Sequence, residues 1–497
     1  MNRKEKKEAQ KSGQFAKDVL LLSGGTFGSQ VITFLAMPII TRLYSPEEIG
    51  LASLFTSITV ILVVFVGMNY ESAIVLPKKA EQAKDLFAIC IISTFLVSSA
   101  TIPGFYFGGG SLIEWMQAPK LRPFLWLVPV ALLISGIAQS LRFWNMRKRR
   151  FAMLSTSTIT STLTSNSYIL GFGFAGHATG GNLIIGNLII ALTKVIILSY
   201  GQLGKGVRVL LRIFRRKKEI IHVAWRYKKF PLVLTWNNFI SRFSSEVPII
   251  LLAHFFSPAV VGLYALSNRV LKIPVTLVGN SISEVFFQRG AQSGDKAEIR
   301  SLVENLLSRI IVISIVPLFF IPIMGKDLIV VFLGGEWTEG GLFFQVLSFG
   351  IILMFIGNTF SPVFTILEKQ EIHLLCAITL AVGNVGAVFL GGLMNDLLLT
   401  LLGLSLVNGL IYGGMLLLVV RILRVSFRSI GKMILVSVIR CFPFAVLLAV
   451  SKWLIVTPPI ATILIASLLA LVYYVVEIRR DEELKAVLGA ILPKKKS

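Results

Sequence analysis

Fourteen apolar stretches follow one another along this chain, separated by polar turns and loops. They lie near 18–41, 50–76, 85–108, 121–143, 153–174, 180–200, 231–256, 259–287, 301–323, 341–366, 372–392, 397–420, 434–455 and 459–478. A helix of about 20 residues crosses the roughly 30 Å hydrocarbon core of a bilayer. Backbone inside that core must satisfy its own hydrogen bonds, so repeated runs of this length predict an all-α polytopic membrane protein. The chain is 55% hydrophobic and 15% charged, whereas ordinary soluble domains are about 25% charged. That balance excludes a soluble globule, and the wealth of apolar residues excludes a disordered chain. The first run is too long for a signal-peptide core and has no clear small-residue cleavage site. In the last pair, Pro443, Pro458 and Pro459 leave open two full crossings or one re-entrant hairpin.

Charge gives the chain a direction. The net charge is +24, from 49 Lys and Arg against 25 Asp and Glu. With fourteen spans both termini share one side. Of the 49 cations, 39 then fall on that side, five on the other, and five within spans. Cytoplasmic loops carry this excess of Lys and Arg, so both termini are expected in the cytoplasm and the chain in the cell (inner or plasma) membrane. The same rule accounts for the positive charge without a nucleic-acid partner.

The expected organisation is a basic cytoplasmic N-tail (1–17), an N-lobe of six spans (18–200) and a basic cytoplasmic loop (201–230). A C-lobe of six spans (231–420), a second basic loop (421–433), a further helix pair (434–478) and a cytoplasmic tail (479–497) complete it. Within the first basic loop, Val207, Leu210, Leu211 and Phe214 share one helical face and Arg208, Arg212, Arg215 and Arg216 another. That pattern suits a helix on anionic headgroups; a solvated topogenic loop is the simpler alternative.

The two lobes carry a repeat. Ser45-Pro46-Glu47-Glu48-Ile49-Gly50-Leu51, with Leu54, follows the first span. Ser257-Pro258-Ala259-Val260-Val261-Gly262-Leu263, with Leu266, follows the seventh, 212 residues later. Both read as helix starts: serine caps free N–H groups, proline suits the first helical position, and Ser45 with Glu48 has capping-box spacing. Six spans separate the copies and six is even, so the repeat is parallel, with a pseudo-twofold axis along the membrane normal.

No enzyme chemistry is evident. Cys90, Cys376 and Cys441 are scattered through apolar runs, and His177, His222, His254 and His373 form no ligand cluster. There is no P-loop, HExxH or GxSxG. No cofactor, metal or catalytic residue is therefore expected.

Charges inside the spans are the candidate working parts, because a mid-bilayer charge costs about 2.5–3.5 kcal/mol and should face a cavity or a partner. Arg242 and Glu246 stand one turn apart in the seventh run, with Asn238 on the same face; an internal ion pair is the plain alternative. In the eighth, Arg269, Lys272, Thr276, Asn280 and Ser283 form one polar stripe at α-helical spacing. Across the repeat Arg242 corresponds to Gln30, so the N-lobe offers hydrogen bonds (Thr26, Gln30, Thr33) where the C-lobe offers charge. Glu71, Lys194, Arg309 and Arg42 lie nearer span ends and are candidates for coupling or gating.

Several of these segments resemble the Wzx-type polysaccharide biosynthesis flippases of the MOP exporter superfamily. The resemblance is carried by Leu22-Ser23-Gly24-Gly25-Thr26, Thr41-Arg42-Leu43-Tyr44-Ser45-Pro46, Tyr70-Glu71-Ser72-Ala73 with Leu76-Pro77, Tyr227-x-x-Phe230-Pro231, Gly262-Leu263-Tyr264, and Arg269-Val270-Leu271 leading to Pro274. It is clear over roughly 18–290. It implies two six-helix lobes and alternating access, moving a polyprenyl-diphosphate-linked oligosaccharide from the inner to the outer leaflet. Many such flippases have twelve spans, and the extra pair here is closer to MurJ-type architecture. In that reading Arg242, Arg269 and Lys272 hold the diphosphate, Thr, Asn and Gln faces meet the sugars, and the partners are membrane lipids and, in the pathway, a glycan polymerase and glycosyltransferases. The alternatives are a MATE-like cation-coupled drug exporter, whose cavity should be acidic rather than cationic, and a membrane-embedded glycan polymerase or glycosyltransferase, which would need paired carboxylates at a membrane face.

Overall fold

In the computed structural model, residues 3–200, 216–292 and 295–480 are described, with the backbone alone for 3–20, 280–281, 285, 288 and 291–292. Every regular element among them is helical. The expected face of Val207–Phe214 and the end of the C-terminal tail lie outside the described residues.

In chain order the helices are α1 (Arg3–Leu43), α2 (Pro46–Val66), the short α3 (Tyr70–Ala73), α4 (Ala80–Trp115), α5 (Leu127–Arg147), α6 (Phe151–Phe174), α7 (Gly180–Ser199), α8 (Lys217–Arg226) and α9 (Thr235–Phe255). There follow α10 (Pro258–Pro274), a π-helical turn (Val275–Gly279), α11 (Asn280–Gln292), α12 (Lys296–Leu333) and α13 (Gly340–Thr359). The short α14 (Pro362–Ile366), then α15 (Gln370–Leu393), α16 (Leu397–Ile422), α17 (Phe427–Trp453) and α18 (Pro459–Arg480) end the described chain.

Each expected span has a helical counterpart. Twelve are long and apolar enough to cross a membrane. The other two, α6 and α9, have the length, 24 and 21 residues, but a more polar sequence, so the count of fourteen spans is not confirmed by apolarity alone. Both depart in the same way: α6 is rich in Ser and Thr, and α9 carries Arg242 and Glu246. The final pair forms two helices of 27 and 22 residues, both of crossing length; Pro443 lies inside α17 without ending it. Helix α12 continues to Leu333, ten residues past the end of the apolar run at 301–323.

The chain divides into two compact units, Met1–Ala265 with Gly392–Asn395 and Leu266–Gly391 with Asp396–Ser497. In the first, α1 packs on α6, α6 on α7, α4 on α5, and α2 on α5, α7 and α9. In the second, α13 packs on α12 and α16, while α17 and α18 pack on α12 and on each other. There Cys441, Ala445, Leu448, Ala466 and Tyr473 form a core with Ile315, Val316 and Phe320 of α12. Lys452 of α17 adds an ion pair to Asp327 at 2.6 Å and a hydrogen bond to the Ile323 carbonyl at 2.7 Å.

The repeated helix starts are formed as their residues demand. Ser45 Oγ accepts from the Glu48 N–H (3.4 Å), and Ser257 Oγ accepts from the Val260 N–H (3.3 Å). The capping box is only half made: the Glu48 carboxylate accepts from the Gly180 N–H at the start of α7. Beside it Lys120 pairs with Glu47 at 2.9 Å, and this hydrogen bond and charge raise the Lys120 ammonium above its ordinary pKa.

Candidate functional site

Helices α2 and α9 lie side by side, and polar groups join them at two levels. About halfway along α2, Ser57 Oγ donates to Glu246 Oε2 at 2.7 Å. Near its end, Asn69 Nδ2 donates to Thr235 Oγ1 (3.1 Å), and Asn238 Nδ2 donates to Asn69 Oδ1 (2.8 Å). Between these levels Phe65 packs edge-on against Trp236 and tilted against Phe239, with centroids 5.8 and 5.1 Å apart. The seam is thus polar, aromatic, polar.

Local backbone makes the lower polar level possible. After Val66 the helix breaks at Gly67, and Met68 and Asn69 adopt left-handed conformations (φ 48° and 56°). Asparagine tolerates that region better than most residues. The break turns Asn69, 5% exposed, toward α9. It also places α3, whose Glu71 is buried at 3% exposure rather than reaching for water. Glu71 Oε1 accepts from Gln139 Nε2 at 2.8 Å, while Oε2 has no hydrogen-bond partner. A Cβ on Gly67 would press on that carboxylate, which would have to shift to admit it.

The expected site residues divide between the two units. In the first, Asn238 and Glu246 face α2 and are used by the seam, whereas Arg242 between them is exposed. Glu246 takes its hydrogen bond from Ser57 and makes no ion pair with Arg242, so the internal pair allowed by their spacing is not formed. Gln30 is half-buried on α1, between Thr26 and Thr33, whose hydroxyls bond carbonyls of the preceding turn. Arg42 folds back to the Pro38 carbonyl at 2.6 Å. Lys194 on α7 is half-buried.

In the second unit, Arg269 is exposed and Lys272 half-buried on α10, and Arg309 is half-buried on α12. The single stripe expected from Arg269 to Ser283 is interrupted. The π-helical turn Val275–Gly279 lies between Lys272 and Asn280, and i→i+5 bonding shifts the register by about one residue. Arg269 and Lys272 keep their α-helical relation; Thr276, exposed and bonded to the Ile273 carbonyl, sits within the turn itself. Asn280 begins α11.

Sequence reasoning missed Ser57, Asn69, Thr235 and Gln139. Ser57 stands among Ser53, Thr56 and Thr59, and Gln139 beside Ser135 and Ser140, so nothing in the sequence singles either out. The signal for Asn69 was present: Gly67-Met68-Asn69 interrupts a run otherwise read as one span.

The geometry can be set beside known proteins. The profile of a family described as polysaccharide biosynthesis protein matches residues 39–340. The succinoglycan biosynthesis transport protein ExoT of Rhizobium meliloti (strain 1021) is 21% identical over 78% of this chain and 76% of its own. The capsular polysaccharide biosynthesis protein CapF of Staphylococcus aureus is 22% identical over 67% of this chain and 81% of its own. Among solved structures, the lipid II flippase MurJ in an inward closed conformation aligns with a TM-score of 0.71 at 14% identity, covering 93% of this chain and 99% of that one. An inward-facing MATE-family multidrug resistance transporter of the MOP superfamily aligns with a TM-score of 0.62 at 15% identity, over 81% and 96%.

Proposed function

We propose that this chain, which belongs to the polysaccharide biosynthesis protein family, is a flippase that carries a polyprenyl-diphosphate-linked glycan repeat unit from the inner to the outer leaflet. It acts by alternating access of the two repeats, without covalent chemistry. One observation carries the reading: Arg242 and Arg269, each well inside a helix of crossing length, are both exposed and neither forms an ion pair among the described residues. A bare cation at membrane depth needs an anion, and guanidinium groups match diphosphate oxygens in bidentate geometry. An organic-cation exporter would place carboxylates there instead.

In this reading the arginines hold the headgroup and hydroxyl and amide side chains such as Thr26, Gln30 and Asn238 meet the sugars. The polyprenyl tail stays in the bilayer. Glu71 and Glu246 are the carboxylates available to couple a proton to the cycle. Both termini are cytoplasmic, and a glycan polymerase and glycosyltransferases act on the same lipid-linked intermediate.

The test is delivery by purified protein in liposomes loaded with a polyprenyl-diphosphate glycan, a polyprenyl-monophosphate glycan or a cationic dye. Protein-dependent movement should be fastest for the diphosphate. Dye movement without glycan movement would overturn the reading.

A further inference from the structure

Helix α8 is short, but its two faces differ sharply. Ile220 and Val223 are buried against Tyr70, Ala73, Leu86 and Ile89 of α3 and α4. Tyr70 Oη donates to the Ala224 carbonyl at 3.2 Å. Arg216, just before the helix, pairs with Glu81 at 2.9 Å and reaches Asp85 at 3.9 Å and Glu219 at 3.7 Å. One face is therefore fastened to the first turns of α4 and to the segment that holds Glu71.

Among the described residues, nothing covers the other face. Ile221 is 48% exposed and Trp225 66%. Lys217, Lys218, Arg226, Lys228 and Lys229 are exposed around them. Lys228 Nζ lies 4.8 Å from the centre of the Trp225 ring, a cation–π contact that leaves the ammonium beside an apolar surface.

Position argues for what covers this face. Helix α4 has 36 residues, about 54 Å at 1.5 Å per residue, against roughly 40–45 Å for a bilayer with its headgroups. Its ends therefore reach beyond the hydrocarbon, and α8 lies along its first three turns, at headgroup level. A tryptophan among lysines at that depth is the chemistry of an interfacial anchor. We propose that the Ile221–Trp225 face of α8, with Lys217, Lys218 and Lys228, is a docking surface for anionic lipid headgroups. Because the opposite face grips Tyr70 and Ala73, lipid bound here steadies the segment that positions Asn69 and Glu71. The inference stands on α8 alone and is independent of the transported substrate.

The test uses the full chain in uncharged detergent, titrated with dioctanoyl phosphatidylglycerol or, as neutral control, dioctanoyl phosphatidylcholine, and read by melting temperature. Phosphatidylglycerol should stabilise the wild type at concentrations where phosphatidylcholine does not. The Lys217→Gln, Lys218→Gln, Lys228→Gln variant should need a higher concentration, about fivefold for each lysine removed. Trp225→Ser, a single exposed change, should also weaken the response and serves if the triple variant melts poorly without lipid. Equal responses to the two lipids, or phosphatidylglycerol curves for both variants that overlay the wild type, would overturn the proposal.

Discussion

Gly50 and Gly262 face each other across the repeat. A Cβ on Gly50 would collide with the Pro258 carbonyl, and a Cβ on Gly262 with the Pro46 carbonyl. The contact is reciprocal, as in a twofold interface where residue i meets j and j meets i. The two helix starts therefore lie side by side and begin at the same face of the membrane, which is the parallel repeat read from the two Ser-Pro motifs. Small residues let helices approach this closely in a membrane, where apolar burial gives little drive to associate.

Gly50→Ala and Gly262→Ala should each lower stability by about 1–3 kcal/mol, the cost of forcing volume into a packed contact. Gly24→Ala is the control: no atom lies within 4 Å of its added Cβ, and alanine favours the helix by up to about 1 kcal/mol. Melting temperatures in detergent should fall for the first two and hold or rise for the third. A neutral Gly50→Ala would mean that the crossing is looser than the structure has it.

The Ser57–Glu246 hydrogen bond joins the first repeat to the second. A hydrogen bond to a charged group is worth about 1.5–3 kcal/mol, so Ser57→Ala should destabilise by that order. Glu246→Gln keeps an acceptor oxygen and should cost less. A double-mutant cycle with Ser57→Ala and Glu246→Ala should give a coupling energy of at least about 1 kcal/mol. Additive effects would show that the contact contributes nothing of its own.

Lys452 and Asp327 fasten the accessory helix α17 to α12, with side chains 18% and 15% exposed. Removing one partner strands a charge, so Asp327→Asn should cost about 2–3 kcal/mol, toward the lower end for such pairs because both groups keep some contact with solvent. Lys452→Met with Asp327→Leu should recover most of the loss. If the double variant is no better than Asp327→Asn, the pair acts through its geometry and not through its charge.

Much of the architecture was legible because membrane helices announce themselves by length and apolarity, and because Ser-Pro starts a helix wherever it falls. What was not legible depends on backbone detail. A π turn at Val275–Gly279 leaves no mark in the spacing of Lys272, Thr276 and Asn280, so an unbroken stripe was the natural reading. The spacing of Arg242 and Glu246 permits a pair; only the position of Ser57, 189 residues away in sequence, decides that the carboxylate turns elsewhere. Asp327 and Lys452 could be placed on one side of the membrane by counting spans, but not matched to each other.

Orientation is open to a direct check. Cysteines introduced at 178 and 394 into a variant lacking Cys90, Cys376 and Cys441 should react with an impermeant maleimide added to intact cells. A cysteine at 217, at the start of α8, should react only after the membrane is opened. The reverse pattern would invert the topology and, with it, the direction of transport.

The arginines decide between holding substrate and holding the fold. Arg242→Gln and Arg269→Gln keep polarity and most of the length but remove the charge. Neither residue has an ion-pair partner among the described residues to leave stranded, so both variants should insert and accumulate normally. If they grip a diphosphate, each loses charge-assisted hydrogen bonds worth roughly 1.5–3 kcal/mol, a ten- to hundredfold weaker hold. Delivery of lipid-linked glycan should fall accordingly, and more steeply in the double variant. Arg269→Lys should recover part of it, because a lysine restores charge but not the bidentate fork. Membrane abundance and delivery are therefore measured together. Normal abundance with normal delivery in both single variants and in the double variant would remove the arginines from the substrate path.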